Sequence, residues 1–391
     1  MNELTRINRL RVQNFRSLAD IDLIMEPLTV FIGPNGSGKS TIVDVLRFVR
    51  DALLRDLDSA ILDRNGISAL RRWSAKGAPY DISIQLTISN PQWEGEYAFI
   101  LGSKRSQDYL VKFERISITR KDKKTKHSEP SFVEMKNGEL SGISKDLQRY
   151  SDIFEKSTGS LSVARLMIPP IFQLNQFFRK AGFYTIYPDT IRQPQSPAAP
   201  YPLDEKGKNL ASMLRALKRR KTPESHEMLT ALSRVVEGVT DYDVQQIGGY
   251  LVTKLHHLSP QGTDRSPAFS LAQESDGTLR MLGLLSALYQ IPYLSMIAIE
   301  EPELTIHPGA LAVLCDVMQE ATTRSQVFIT THSPELISLF PLNVLRVVEK
   351  VNGITKIGVI KKEQQDAIRE KLFSTGEILL MEGLQRETIS S

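Results

Sequence analysis

Residues 7 to 14 and 20 to 26 alternate apolar and polar positions, the period of a strand with one face in a core and one in water. The next run, Leu28-Thr29-Val30-Phe31-Ile32, is continuously apolar or β-branched and predicts a buried strand; together the three read as a small sheet. From Thr41 to Leu57 the apolar residues recur at helical spacing. A turn-rich passage around Arg64-Asn65-Gly66 and Lys76-Gly77-Ala78-Pro79 then leads to strand-like runs at 80 to 89, 95 to 102 and 109 to 119, a β-rich lobe.

From about 140 to 180 the pattern is helical, ending in Phe172, Phe177 and Phe178. Gln193 to Pro202, rich in Pro and Ala, reads as a rigid connection before a second helical section, Asn209 to Val236. Strands return at 243 to 256 and 267 to 271. Met281 to Ile299 is apolar enough to suggest a membrane span, but Gln290 and Pro292 divide it, Arg280 precedes it and Glu300-Glu301 follow. It therefore reads as a buried helix, a turn and a buried strand, and no membrane contact is expected. Val327 to Thr331 is a further buried strand. No heptad run is long enough for a coiled-coil arm, and no internal repeat is visible.

Composition narrows the class without deciding it. The 391 residues are 41% hydrophobic and 24% charged, ordinary for a folded domain of α/β type with insertions. A net charge of +4 permits nucleic-acid contact but does not argue for it. Arg120 to His127 is a charge run that reads as a solvated hairpin tip, and Lys218-Arg219-Arg220-Lys221 stand at a helix end, where the helix dipole favours cations. The single cysteine, Cys315, excludes an internal disulfide and suits a reducing compartment as a small buried residue. Met1 to Leu10 carries no apolar segment of the kind export needs, so a cytoplasmic location is expected.

The chemistry begins at Gly33-Pro34-Asn35-Gly36-Ser37-Gly38-Lys39-Ser40, two glycines with four residues between them followed at once by Lys and Ser, with Thr41 opening the helix. A strand, this loop and a helix form a phosphate cradle: glycines let backbone N–H groups turn inward, the helix start adds partial positive charge, Lys39 reaches the outer phosphates and Ser40 a Mg²⁺ ion. Hydrolysis needs more. Leu294 to Ile299 ends in Glu300-Glu301, and because side chains alternate along a strand, one carboxylate faces the metal shell and the other the attacking water. Glu303 is a third acid nearby, and Pro308 suits the first turn of the next helix. After Val327 to Thr331, Ser333-Pro334 is explained as a helix start, which leaves His332 as a donor to a γ-phosphate. Ser275-Asp276-Gly277-Thr278 precedes the apolar helix Leu279 to Tyr289 and reads as a second phosphate cradle, serving the nucleotide of another subunit.

Asn14-Phe15-Arg16-Ser17, the phosphate loop, Ser275 to Thr278, Ile299-Glu300-Glu301-Pro302-Glu303 with His307-Pro308, and Thr331-His332-Ser333-Pro334 together resemble the ABC-type ATPases of the chromosome-maintenance, recombination-repair and overcoming-lysogenization-defect (OLD) group. Within it the chain looks most like compact bacterial predicted AAA-family ATPases without long arms or a nuclease domain; Gly207-Lys208-Asn209-Leu210 and Ser275 to Arg280 are similar to stretches found there. Residues 50 to 200 carry little of the likeness.

The resemblance implies an ABC-type P-loop fold: an antiparallel β-lobe, a mixed central sheet flanked by helices, and a helical insertion. The expected divisions are 1–140 for the first ATPase lobe, 141–240 for the insertion and 241–391 for the second lobe. It also implies ATP and Mg²⁺ as cofactors, Lys39 and Ser40 on phosphate and metal, Glu300 at the Walker B metal position, Glu301 as catalytic base and His332 as the γ-phosphate switch. Ser275 and Gly277 would touch ATP held by the opposite protomer of a homodimer or higher homo-oligomer. Glu300 stands where Asp is commoner, Asp276 replaces the first signature glycine, and Thr278 replaces a Gln. Gln85 and Gln92 are candidates for a metal-sensing glutamine. The function expected is a nucleotide-driven ATPase switch acting with double-stranded DNA or a separately encoded nuclease or effector, in anti-phage defence or DNA repair. The alternatives are an energy-coupling transporter subunit or a slow ATP-sensing regulator of a toxic partner.

Overall fold

A computed structural model describes residues 4–74, 78–102, 108–121, 129–153, 161, 169–259 and 267–387. The chain opens with the hairpin β1 (Arg6–Phe15) and β2 (Leu18–Ile24), then β3 (Leu28–Ile32) and the helix α1 (Lys39–Leu54). Short helices α2 (Leu57–Leu62) and α3 (Ile67–Leu70) lead to β4 (Ile82–Ser89), β5 (Trp93–Gly102), β6 (Leu110–Arg120), β7 (Ser131–Lys136) and β8 (Glu139–Ile143). These strands, with β1 and β2 but without β3, make a seven-stranded antiparallel sheet in the order β2-β1-β4-β5-β6-β7-β8. In β4 buried positions alternate with half-buried ones, because one face packs inward.

After α4 (Pro169–Arg179) come β9 (Ala181–Tyr184), α5 (Pro188–Arg192), α6 (Leu210–Arg220) and α7 (Pro223–Val235), then a small sheet of β10 (Val239–Ile247), β11 (Tyr250–His257) and β12 (Ala268–Ser270). The last part holds α8 (Asp276–Leu288), β13 (Met296–Glu300), α9 (Pro308–Ala321), β14 (Gln326–Thr331), α10 (Pro334–Ile337), β15 (Leu345–Val351), β16 (Ile354–Gly358), α11 (Lys362–Arg369) and α12 (Thr375–Met381). A six-stranded sheet runs β16-β15-β3-β14-β13-β9, parallel except for the antiparallel edge strand β16.

The two sheets are joined through α1. Phe48 on α1 meets Phe15 of β1 and Phe99 of β5, with ring centroids 5.7 and 6.4 Å apart, and Phe31 of β3 joins the same apolar cluster. Val30 and Ile32, alternating with Phe31, point to the opposite face, where they pack with the cluster that includes α6, α8 and α9. A buried amide ties the sheets again: Gln326 Oε1 accepts from Ile7 N at 2.9 Å and its Nε2 donates to Ile7 O at 2.8 Å and Glu26 O at 3.0 Å.

Two local expectations are revised. β3 does not pair with β1 and β2; all five of its residues are buried, and a strand covered on both faces belongs in a parallel sheet between helices. Residues 139–143, within the stretch read as helical, form β8, with a 3₁₀ turn at Lys145–Ile153. Of the charge run, only Arg120 and Lys121 fall inside the described residues. Among the described residues, no helix is long and apolar enough to cross a membrane.

Candidate functional site

Three strand ends converge because the order β3-β14-β13 is parallel: the loop after β3, Thr331-His332 after β14, and Glu300-Glu301 after β13 all emerge on one edge. The loop after β3 is Gly33 to Ser40. Gly36 and Gly38 hold positive φ, 77° and 112°, which side chains resist. A side chain at Gly33 would meet Val348 O at 2.1 Å, so the loop lies directly against β15. Gly38 is the N-cap of α1 and supplies no side-chain cap, which leaves the first-turn amides open to an anion.

Lys39 folds back beneath this loop and is buried. Its Nζ donates to Gly33 O at 2.7 Å and Pro34 O at 3.1 Å. Burial lowers its pKa against the opposing pull of Glu301 and Glu303. Ser37 Oγ is buried and without a partner, an orphan polar atom inside the cradle. Pro34, Asn35, Gly36 and Ser40 are exposed, and Thr41 is half-buried. This donor-rich loop fits a polyphosphate, and an exposed hydroxyl at Ser40 beside acidic strand ends fits a hard divalent cation.

The two glutamates diverge. Glu300 Oε1 lies 3.2 Å from Arg47 Nη2 on α1, whereas Glu301 Oε1 lies 3.3 Å from His332 Nδ1. Glu301 adopts φ 46° and its N–H donates to Thr330 O at 2.9 Å, so a bend at the strand end sends its side chain away from that of Glu300. Glu303 braces the neighbouring strand: its Oε1 accepts from Thr331 Oγ1 at 2.6 Å and from His332 N at 3.3 Å, while Oε2 is buried without a partner. Ser333 caps α10 by accepting from Leu336 N at 3.1 Å. His307 does the same for α9, and Pro308 occupies its first turn.

At the start of α8, Ser275 is the N-cap and its Oγ accepts from Thr278 N at 3.1 Å. Gly277 has no room for a side chain, since a Cβ would meet Thr305 O at 2.8 Å. The Asp276 carboxylate is paired with Arg192. One turn on, the buried Arg280 donates to Ile186 O and, at 2.7 Å, to Glu301 O.

Several contributors carry no sequence signal. Thr355, on β16, donates from Oγ1 to Ser37 O at 2.8 Å and sits 2.8 Å from Ser17 Oγ, bracing the phosphate loop from the far end of the chain. Glu205, in an irregular loop, accepts from Arg50 Nη2 at 2.6 Å and faces Arg47 Nε at 3.6 Å. Neither Gln85 nor Gln92 is at this edge: Gln85 lies within β4, opposite Arg11 and Ala98, and Gln92 precedes β5. Arg16, at φ 48°, pairs with Asp44 at 3.0 Å and borders the same cleft of about 470 Å³ as Ser40, Arg47 and Glu300.

A family model described as "AAA domain, putative AbiEii toxin, Type IV TA system" matches residues 28–338. Over 43 residues the chain is 54% identical to the OLD nuclease of Thermus scotoductus, a stretch that spans 11% of this chain and 8% of that relative. Among solved structures, the Smc head bound to the C-winged helix domain of ScpA aligns with a TM-score of 0.51 at 14% identity, over 92% of this chain and 99% of that chain. The SMC head domain from Thermotoga maritima aligns at 0.46 and 14%, over 91% and 99%. The first of these two structural likenesses shows the fold, that of an Smc head.

Proposed function

Since the chain belongs to the AAA-domain family described as putative AbiEii toxin, type IV TA system, and is an OLD-like ABC-type ATPase, we propose that it hydrolyses ATP as a switch between separate and paired subunits. The observation that carries the reading is the convergence of Lys39, Ser40, Glu300, Glu301 and His332 on one sheet edge. Lys39 and the open amides of α1 hold the phosphates, with Gly33 to Gly38 wrapping them and Thr41 closing the turn. Ser40 and Glu300 hold Mg²⁺, which when bound neutralises phosphate charge. Glu301 accepts the proton of the attacking water, and His332, oriented through Nδ1 by Glu301, presents Nε2 to the γ-phosphate.

Ser275, Asp276 and Gly277 meet the nucleotide of a second copy, so hydrolysis requires a dimer. The partner class we infer is double-stranded DNA or a separately encoded nuclease or effector, in a cytoplasmic anti-phage or repair role. The nuclease relative supports that reading by likeness over a short stretch. The toxin–antitoxin description of the family favours a second reading, a slow ATP-dependent regulator of a toxic partner.

The test is the mass of Glu301→Gln by light scattering with and without ATP and Mg²⁺, and then with added double-stranded DNA. An ATP-dependent dimer that Lys39→Ala fails to form supports the switch, and DNA retention supports a nucleic-acid clamp. Mass indifferent to ATP removes the dimer reading. Turnover unaffected by Glu301→Gln turns the assignment to the regulator.

A further inference from the structure

We propose that Arg192 is a positioning residue for the signature loop, cancelling the charge of Asp276 so that the start of α8 can face the phosphates of a second copy's nucleotide. The inference rests on the dimer reading above and names the residue on which it depends. Asp276 is the first residue of a 13-residue helix, and its carboxylate is more than half exposed. A carboxylate at a helix start is stabilised by the helix dipole, but it repels an incoming polyphosphate competing for the same amides.

The guanidinium of Arg192, the last residue of α5, lies behind that carboxylate and is only 23% exposed. It makes a charge-assisted pair with Asp276 and donates from Nη1 to Glu274 O at 3.0 Å and Ala272 O at 3.3 Å. One side chain thus fixes the path of the chain into the helix and offsets the misplaced negative charge. Gly277 has no room for a side chain beside Thr305 O, and Ser275 and Asp276 are both exposed at this turn; of the two, Asp276 carries the charge.

A structural staple and a charge shield differ in their response to removing the carboxylate. The experiment measures the ATP-driven association of Glu301→Gln by light scattering over a protein dilution series, with Arg192→Ala, Asp276→Asn and both added to that background. Nucleotide binding by the monomer is read with an N-methylanthraniloyl-ATP at concentrations below association. The expected result is association weakened at least tenfold by Arg192→Ala, recovered to within threefold by Arg192→Ala with Asp276→Asn, and strengthened by Asp276→Asn alone. Monomer binding stays within twofold throughout.

Arg192→Ala without effect, or a double variant no stronger than Arg192→Ala, overturns the inference, as does Asp276→Asn that fails to strengthen association, a variant that leaves Arg192 in place and does not depend on the fold of the alanine variant. A Glu301→Gln parent that stays monomeric with ATP overturns the dimer reading and the inference together, whereas a dimerising parent without rescue overturns the inference alone.

Discussion

The guanidinium of Arg280 donates at 2.7 Å to the carbonyl of Glu301, a residue held at φ 46°. A left-handed non-glycine backbone costs about 1–3 kcal/mol and persists where its surroundings fix it. Arg280, buried on α8, supplies that fixation and ties α8 to the strand end carrying the proposed base, with Ile186 O and, at 3.4 Å, Glu300 O as further acceptors. Arg280→Ala should lower unfolding free energy in urea by about 2 kcal/mol, the scale of a lost charged hydrogen bond. It should also cut phosphate release about tenfold or more through misdirection of Glu301, a rate factor equivalent to roughly 1.4 kcal/mol. Arg280→Ala hydrolysing ATP at the parent rate would sink this account.

Arg47 stands between two acids, 3.2 Å from Glu300 and 3.6 Å from Glu205, with its guanidinium over the Phe183 ring. A Mg²⁺ ion held by Glu300, as proposed, would compete with this ion pair. Partly exposed pairs contribute up to about 1 kcal/mol, which corresponds to about fivefold in an equilibrium constant. Arg47→Ala should therefore lower the Mg²⁺ concentration that half-saturates ATP binding severalfold, and Glu205→Gln should raise it by leaving Arg47 to Glu300. Calorimetric titrations at graded Mg²⁺ check both directions, and equal Mg²⁺ dependence in all three proteins would remove the competition.

Burial depresses the pKa of Lys39, so it loses its charge at lower pH than an ordinary lysine. Phosphate binds the protonated form. ATP affinity should then fall as pH rises through the lowered value, up to about tenfold per pH unit. Fold stability moves the other way: the unfolded chain binds the proton more tightly, so this group makes stability rise with pH between the lowered value and the ordinary one. Lys39→Arg, which keeps its charge, should lose the alkaline limb of the affinity profile. A wild-type profile flat to the pH where free lysine titrates contradicts the buried-amine reading.

Cys315 lies buried on α9, where burial pushes its thiol pKa up to about 11. At pH 8 the thiolate is a minor species and is also out of reach. Iodoacetamide should leave the native chain unlabelled over hours and label it within minutes in 6 M urea, as mass spectrometry would record (times on the order of those for buried and free thiols). Rapid native labelling would show that α9 opens readily from the core.

Local patterns carried the fold where one element decides its own state. The five apolar residues of β3, the helical spacing after Thr41 and the split at Gln290 and Pro292 each depend on neighbours in sequence, and the structure has β3, α1, α8 and β13 at those places. What could not be read is which sheet a strand joins: β3 follows β2 closely in sequence but pairs with β14 and β15. The same limit applies at the candidate site. Gly33 to Ser40, Glu300-Glu301 and His332 stand in strand-end motifs, whereas Arg47, Glu205 and Arg192 become noticeable only once the fold brings distant charges together. Nothing in the sequence around Glu205 distinguishes it from any surface glutamate.

Thr355 is the extreme case, 338 residues from Ser17 and in contact with it. It is fully buried on β16. Its backbone N–H donates to Ser17 O at 2.9 Å, and its hydroxyl donates to Ser37 O at 2.8 Å. That hydroxyl has one proton, so the Ser17 hydroxyl, also 2.8 Å away, donates to it in return. A side chain at Gly38 would meet Thr355 Oγ1 at 2.3 Å, so the phosphate loop is pressed onto this threonine. Thr355→Val keeps the volume and removes the hydroxyl, stranding the Ser37 carbonyl at a cost of about 1–3 kcal/mol. Because the loop's amides must point inward together to hold phosphate, part of that loss should appear as ATP affinity reduced about five- to fiftyfold, 1.4 kcal/mol being tenfold. Thr355→Ser keeps the donor and should bind ATP nearly as the parent does. The comparison separates a hydrogen-bonded brace from simple packing: if valine and serine variants bind ATP alike, Thr355 only fills space, and the phosphate loop holds its shape without the far end of the chain.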